Sequence, residues 1–299
     1  MLFFPGWSTL FAGYFIAEKN HLFIDPFNLE LFDPGKIFLL FVSFGAAMGA
    51  SFLLNQLKDI VSDKENDKLY FIARGYIKKQ TAIIEVVFLI IISLLTAYYI
   101  NISVLIIAVF FILLTGYLYN YAPFRMKDRP WLSLLANSIM GFLAFAMGWL
   151  GGQGCSHELF FDSLPYLFFN TALYFYTTLP DIEGDRKSDK HTLAVDYGIK
   201  PLLWGAFLLY LLSLLFAVYF NDVQALFFII LSIPFFILTV IKFTVESAIL
   251  ATKFSILLFA LAICFKLPIY FVLMVAIFFF SKWYFKVRFN LNYPNFSDN

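Results

Sequence analysis

The feature that most constrains this chain is a series of ten apolar stretches joined by short polar connections. A membrane-spanning helix needs ~20 mostly apolar residues, within a range of ~17–25. The stretches are continuous and do not alternate polar with apolar residues, which favours helices over barrel strands. The first stretch is short and the ninth contains Lys253, so nine to ten spans are predicted. The stretches run near 1–17, 37–57, 80–100, 102–122, 131–150, 159–180, 201–219, 223–241, 247–265 and 267–284.

Composition supports a membrane protein built as a single domain over residues 1–299. Hydrophobic residues make up 62% of the chain and charged residues 14%, against about 25% charged in ordinary globular domains. A net charge of +1 is too small for a nucleic-acid-binding surface. Two cysteines exclude a disulfide scaffold or an iron–sulfur ligand set. We expect an all-α transmembrane bundle around a central cavity, with the lipid bilayer as its surroundings.

Basic residues predict the orientation of this bundle. With ten spans and a cytoplasmic N-terminus, all but three of the 21 Lys and Arg residues lie on the cytoplasmic side; the exceptions are Lys19, Lys36 and Lys266. Basic residues favour cytoplasmic loops, so this orientation is expected. The long polar segments 58–79, 122–130 and 181–200 then share the cytoplasmic face. We expect the cavity to open there and the chemistry to lie there.

Two acidic clusters close two of the predicted spans with the same spacing. Asn55, Asp59 and Asp63 follow the second span in steps of four, and Asp181, Asp185 and Asp189 follow the sixth. Residues four apart share a face of a helix, so each set can converge on one point. Pro180 and Gly184 would allow a break or kink in the second cluster.

The chemistry of these clusters points to a hard divalent cation. Carboxylates this close repel one another unless a positive charge lies between them. Mg²⁺ uses one or two carboxylates together with substrate phosphates, and no His or Cys accompanies the clusters, which argues against zinc. Either cluster alone is also compatible with an ordinary solvated loop. Two clusters of equal spacing on one face favour a clamp for Mg²⁺ and diphosphate.

A third polar segment, residues 116–130, ends the fourth span on the same face. Arg125 and Lys127 could neutralise diphosphate oxygens, Arg as a fork and Lys as a point charge. The alternative for such residues is plain positive-inside topology, and we favour it for Arg129. Lys190 and Arg186 are open to the same two interpretations.

These motifs resemble those of the UbiA-type membrane prenyltransferase superfamily. Its first motif, Asn-Asp-x-x-Asp-x-x-x-Asp, matches at Asn55, Asp59 and Asp63, with Gln56 in place of an Asp. Its Tyr-Ser-x-Pro-Pro-x-Arg-x-Lys segment resembles 119–127, and its second acidic motif resembles 181–187, with Thr178 where an Asp is common. The resemblance covers nearly the whole chain, and the ordered pair of acidic motifs is its specific part.

The resemblance implies transfer of a prenyl group from a polyprenyl diphosphate to an aromatic or other lipophilic acceptor, with Mg²⁺ as cofactor and a role in quinone or lipid biosynthesis. It assigns catalysis and the metal to one set of residues and substrate binding to another. The first set is Asp59, Asp63, Asp181 and Asp185. The second set is Asn55, Tyr119, Arg125, Lys127, Asp189 and Lys190.

Two alternatives stay open at this point. A cyclase of the same superfamily would quench the allylic cation within one molecule instead of transferring it. A transporter would use carboxylates near the bilayer midplane, whereas the acidic clusters here lie at span ends. The sequence does not identify the acceptor or the length of the prenyl chain.

Overall fold

A computed structural model describes residues 4–18, 33–65, 71–187 and 191–292, with side chains for all of these except 61–65 and 187. Twelve α-helices and no strands occur within these ranges, which confirms the all-helical prediction. The helices are α1 Phe4–Ala17, α2 Pro34–Glu65, α3 Lys79–Ile100, α4 Ile102–Ile112, α5 Pro130–Gly152, α6 Glu158–Thr177, α7 Ile182–Lys187, α8 Leu193–Tyr197, α9 Ile199–Tyr219, α10 Val223–Lys242, α11 Val245–Lys266 and α12 Pro268–Phe289.

Each predicted apolar stretch coincides with a helix. In the described ranges, seven helices are long and apolar enough to cross a membrane: α2, α3, α5, α9, α10, α11 and α12. Lys253 does not interrupt α11. The other three of the ten predicted spans correspond to α1 with 14 residues, the shorter apolar helix Ile102–Leu118, and α6, which carries Glu158 and Asp162.

The helices pack as neighbours along the chain and across it, with α1 against α5, α2 against α3, and α6 against α5 and α9. Helices α1 and α5 approach closely because glycine removes the side chain at their crossing. A Cβ at Gly148 would lie 1.7 Å from the carbonyl oxygen of Leu10, and one at Gly13 would lie 2.0 Å from that of Phe145. Small residues permit such backbone contact in membrane bundles.

Aromatic packing fills the part of the bundle formed by α6, α9, α10 and α11. The Phe169 and Phe228 rings meet edge to face at 4.7 Å, and the Tyr210 and Phe236 rings stack at 3.9 Å. The Tyr176 hydroxyl, which is buried, is hydrogen bonded to the Thr239 hydroxyl at 2.8 Å. This packing fixes α6, the helix that ends just before the second acidic cluster.

Candidate active site

The first acidic cluster lies on a continuous helix. Helix α2 runs without a break through Asn55 and Asp59 to Glu65, so the predicted common helix face is formed. Ser51, one step of four earlier, is hydrogen bonded to the Thr115 hydroxyl. The backbone of Asp63 belongs to α2, but its side chain lies outside the described part of the chain, as does all of Asp67.

A π-helix follows α4 and meets this part of α2. It spans Leu113–Leu118, and such segments are frequent at functional sites. The Asn120 side chain is buried and donates to the carbonyl oxygens of Thr115 and Gly116 at 2.9 and 3.1 Å. Asn120 therefore satisfies carbonyl groups at the end of this helix and fixes the loop that follows.

That loop turns Lys127 towards α2. Arg125 adopts a left-handed conformation (φ 40°), which is uncommon for a residue with a Cβ. It precedes a short 3₁₀ helix, Met126–Asp128, and its side chain forms a 2.8 Å ion pair with Asp128. Arg125 thus pairs within its own loop, and Lys127 reaches the first acidic cluster.

Lys127 is the cation at the centre of this cluster. Its Nζ lies 2.7 and 2.6 Å from the two carboxylate oxygens of Asp59 and 3.1 Å from Oδ1 of Asn55. The Lys127 side chain is 14% exposed and that of Asp59 28%. Two oxygen atoms of Asp59, from the predicted metal-binding set, and one of Asn55, from the predicted substrate-binding set, therefore converge on one positive charge. Oxygen atoms are the ligands that Mg²⁺ prefers.

Tyr121 packs beside the same cluster. Its hydroxyl donates to the carbonyl oxygen of Leu54 at 3.3 Å, and the Lys58 ammonium lies 5.9 Å from the centre of its ring. Burial, together with the negative charge of Asp59, raises the pKa of Tyr121 above its ordinary value. The Tyr121 hydroxyl thus serves as a hydrogen-bond donor to α2 beside the first cluster.

The second acidic cluster is built differently. Helix α6 ends at Thr177, the chain turns through Pro180, and the six-residue helix α7 begins at Ile182. The break is thus at Pro180, and Gly184 lies inside α7. The backbone N–H of Asp185 donates to the carbonyl oxygen of Asp181 at 2.8 Å, so the two acids lie one helical turn apart. Asp181 is exposed and Asp185 is half-buried.

A chain of hydroxyl groups links the surroundings of the two clusters. The Ser133 hydroxyl lies 3.4 Å from the Tyr119 hydroxyl and 2.6 Å from that of Tyr174. Tyr119 accepts a backbone hydrogen bond from Lys127 at 3.2 Å, and Tyr174 lies three residues before the end of α6 at Thr177, which leads into the second cluster. The two acid-bearing ends therefore flank one polar region formed by α5, α6 and the loop after α4.

Two predicted substrate contacts, Asp189 and Lys190, lie outside the described residues. Among the residues that the structure does describe, no three His, Cys, Asp or Glu side chains form a metal-binding group. A cation at either cluster would therefore draw on few protein ligands from the described part of the chain.

An apolar groove lies on another side of α5 and α6, where they meet α9. Its lining includes Trp131, Leu135, Phe175 and Leu208. Trp131 and Leu135 are 60% and 50% exposed, as expected of side chains that face lipid. The groove is lined by neither acidic cluster, so we assign no chemistry to it.

Sequence reasoning missed Ser51, Asn120, Ser133 and Tyr174. Ser51 continues the four-residue spacing of Asn55 and Asp59, so extending that series backwards would have found it. Asn120 lies in the segment that resembles the family's Tyr-Ser-x-Pro-Pro-x-Arg-x-Lys motif, at the position of its Ser, and nothing in that motif indicates its role. The contact between Ser133 on α5 and Tyr174 on α6 depends on how two helices pack, and no spacing within either helix reveals it.

The fold and the site define a multi-pass integral membrane protein with paired acidic segments at one end of its bundle. The chain belongs to the UbiA prenyltransferase family, whose model matches residues 7–246. No curated protein sequence matches it significantly.

Solved structures share the fold. A UbiA homologue from Archaeoglobus fulgidus bound to GPP and Mg²⁺ superposes with a TM-score of 0.67 at 21% identity, covering 88% of this chain and 95% of that one. An apo UbiA homologue from Aeropyrum pernix K1 gives 0.65 at 14% identity, covering 91% and 98%. A digeranylgeranylglyceryl phosphate synthase gives 0.63 at 22% identity, covering 86% and 92%.

Proposed function

We propose that this chain is a Mg²⁺-dependent prenyltransferase that moves a prenyl group from a polyprenyl diphosphate to a lipophilic acceptor. The observation that carries the proposal is the convergence of Asp59 and Asn55 oxygens on the Lys127 ammonium in a member of a prenyltransferase family. The homologue with GPP and Mg²⁺ bound supports the choice of diphosphate and metal. The transporter alternative has no comparable support. The cyclase alternative would use the same donor and metal and differs only in how the allylic cation is quenched.

In this proposal, four carboxylates hold the metal: Asp59, Asp63, Asp181 and Asp185. Mg²⁺, when bound, withdraws charge from the departing diphosphate. Asn55 contributes an amide oxygen beside Asp59. Lys127 exchanges its carboxylate partner for diphosphate oxygens and so stabilises the charge that builds up there. Lys190, Asp189 and Tyr119 supply further substrate contacts. Arg125 was predicted as another, but we assign it no contact because its exposed side chain pairs with Asp128 in its own loop.

The apolar interior of the bundle accommodates the isoprenoid tail and keeps water away from the reacting carbon. Rupture of the C–O bond leaves an allylic cation, which water would capture if it were present. The acceptor captures it instead. We place this end of the bundle, with the N-terminus, on the cytoplasmic side because of the distribution of Lys and Arg. The single-domain interpretation of residues 1–299 stays a prediction.

The proposal is tested with purified protein in nanodiscs, Mg²⁺, labelled prenyl diphosphates of several lengths and a panel of acceptors. We expect Mg²⁺-dependent release of diphosphate and a prenylated acceptor, both identified by mass spectrometry. A cyclised hydrocarbon formed without acceptor would show the cyclase instead. Absence of any Mg²⁺-dependent diphosphate release with every donor would overturn the proposal.

A further inference from the structure

Two asparagines on α5 and α6 place carbonyl oxygens below the acidic clusters. Asn137 lies seven residues from the start of α5 at Pro130, and Asn170 lies seven residues from the end of α6 at Thr177. At 1.5 Å per residue, both lie about 10 Å inside the helix ends that carry the polar region. The two helices pack against each other, and a Cβ at Gly141 would lie 3.5 Å from Nδ2 of Asn170.

Asn137 faces the inside of the bundle. It lies on the same side of α5 as Ser133 and roughly opposite Trp131 and Leu135, since successive helical residues are about 100° apart. Those two residues are 60% and 50% exposed and face outwards. Asn170 contacts Thr9 of α1, which is 2% exposed, so it also faces another helix.

The hydrogen-bond network fixes which end of each amide is used. Asn137 Nδ2 donates to the backbone carbonyl of Ser133 at 2.8 Å, and a carbonyl can only accept. Asn170 Nδ2 lies 3.1 Å from Thr9 Oγ1. Thr9 already gives its proton to the carbonyl of Pro5 at 2.9 Å, so Thr9 accepts from Asn170. Both Asn Oδ1 atoms are therefore directed away from these contacts.

These two oxygens are open acceptors. Within the described part of the chain neither has a hydrogen-bond partner, and neither is fully buried. A half-buried carbonyl without a partner inside a membrane bundle is costly. A ligand with an O–H group would satisfy it.

The two helices that carry these asparagines provide no cation that could bind an anion. Helix α5 carries no charged residue, and α6 carries only Glu158 and Asp162, at the end away from the polar region. The nearby cation on the loop, Lys127, is engaged by Asp59 and Asn55. Carbonyl oxygens repel a carboxylate or phosphate, and an anion buried without a cation costs far more than a hydroxyl group.

We infer that Asn137 and Asn170 bind the acceptor through its hydroxyl group, and that the acceptor is an uncharged phenol or alcohol. This inference rests on the proposed function. In the transfer, the C1–O bond of the prenyl diphosphate breaks with its electrons leaving on diphosphate. A bond forms between C1 and the acceptor, and the proton that the acceptor loses passes to the released diphosphate. The hydroxyl chain of Tyr119, Ser133 and Tyr174 lies between the asparagines and the acidic clusters.

The first test uses the wild-type protein in nanodiscs with Mg²⁺ and geranylgeranyl diphosphate. The acceptors form matched pairs: 4-methylphenol against 4-hydroxybenzoate, and 1-decanol against glycerol 1-phosphate. We expect kcat/KM to be at least about 100-fold higher for each neutral member, since an unpaired buried anion costs several kcal/mol. Preference for either anionic member, or prenylation of none of the four despite Mg²⁺-dependent diphosphate release, overturns the inference and leaves the proposed function standing. If no diphosphate is released, both fail.

The second test uses Asn137→Leu, which is close in size and lacks the acceptor oxygen. Its KM for 4-methylphenol should rise about tenfold, the effect of one lost hydrogen bond. Its KM for geranylgeranyl diphosphate and its acceptor-independent release of diphosphate should stay within about twofold. Ser138→Ala is the matched control, because Ser138 is the next residue on α5 and pairs with Thr171 beside the outer groove. Equal loss of diphosphate release and transfer in Asn137→Leu would contradict an acceptor-binding role.

Discussion

The two acid-bearing ends of the bundle carry the same spacing of Asp residues but differ in how the chain holds them. Asp59 lies on a continuous helix and is paired with a largely buried lysine. Asp181 is exposed at a helix break, and Asp185 follows on a helix of six residues. One cluster is therefore held in place before substrate arrives, whereas the other lies on a short segment with fewer packing contacts. Metal and diphosphate would draw the second towards the first.

The largest expected effect comes from removing one carboxylate charge at either end. Asp59→Asn and Asp181→Asn should each lower prenyl transfer by on the order of 10³-fold or more, because each removes charge from the group that holds the metal. Product formation with a labelled prenyl diphosphate measures this. Substantial activity in both variants would defeat the clamp.

The stability of the same two variants tests whether the two clusters are held differently. Asp59→Asn leaves the Lys127 ammonium without its charged partner at 14% exposure, so its apparent unfolding temperature should fall. Asp181→Asn should leave that temperature unchanged, since Asp181 is exposed. Thermal unfolding in detergent, with size-exclusion chromatography as the folding control, separates the two. Equal effects on stability would show that the clusters are held alike.

Lys127→Met should produce the next largest effect. Because the variant lacks the Lys127 charge, its KM for prenyl diphosphate should rise by roughly 10- to 100-fold, as expected for loss of a charge-assisted contact. Mn²⁺ should bind more tightly to the protein without diphosphate, because the ammonium no longer competes for Asp59 and Asn55. Electron paramagnetic resonance of free Mn²⁺ measures the affinity. Weaker Mn²⁺ binding in this variant would contradict the competition.

Asn120→Ala should have an intermediate effect. The Asn120 amide donates hydrogen bonds to the carbonyl oxygens of Thr115 and Gly116. Leaving these two oxygens without that donor costs about 1–3 kcal/mol of stability. The loop that presents Lys127 should then loosen and kcat should fall several-fold. A variant with wild-type unfolding temperature and kcat would show that the loop is fixed by other contacts.

Arg125→Met should have the smallest effect and is the natural control for Lys127→Met. The Arg125 side chain is 52% exposed and pairs with Asp128 in its own loop, so the KM for prenyl diphosphate should change by less than about threefold, as for other exposed ion pairs. A change as large as that of Lys127→Met would place Arg125 on the diphosphate.

The sequence predicted the helical bundle and the shared face of Asn55 and Asp59, because both follow from local periodicity. The sequence also predicted Lys127, but as a residue that binds diphosphate. The pairing of Lys127 with Asp59 depends on the left-handed turn at Arg125, and no residue spacing in the sequence predicts that turn. The sequence did not predict the π-helix or the role of Asn120 either, because neither follows from residue spacing. Asn170 makes the interhelical hydrogen bond expected of a polar residue inside a span, whereas Asn137 donates within its own helix.

The account depends on both acidic clusters binding one metal–diphosphate group. Anomalous diffraction from crystals grown with Mn²⁺ and a non-ionisable prenyl thiolodiphosphate tests this most directly. We predict Mn²⁺ at about 2.0–2.3 Å from carboxylate oxygens of both clusters, with Lys127 moved from Asp59 to diphosphate. Mn²⁺ bound to only one cluster, or diphosphate bound elsewhere with the Lys127–Asp59 pair intact, would contradict the account.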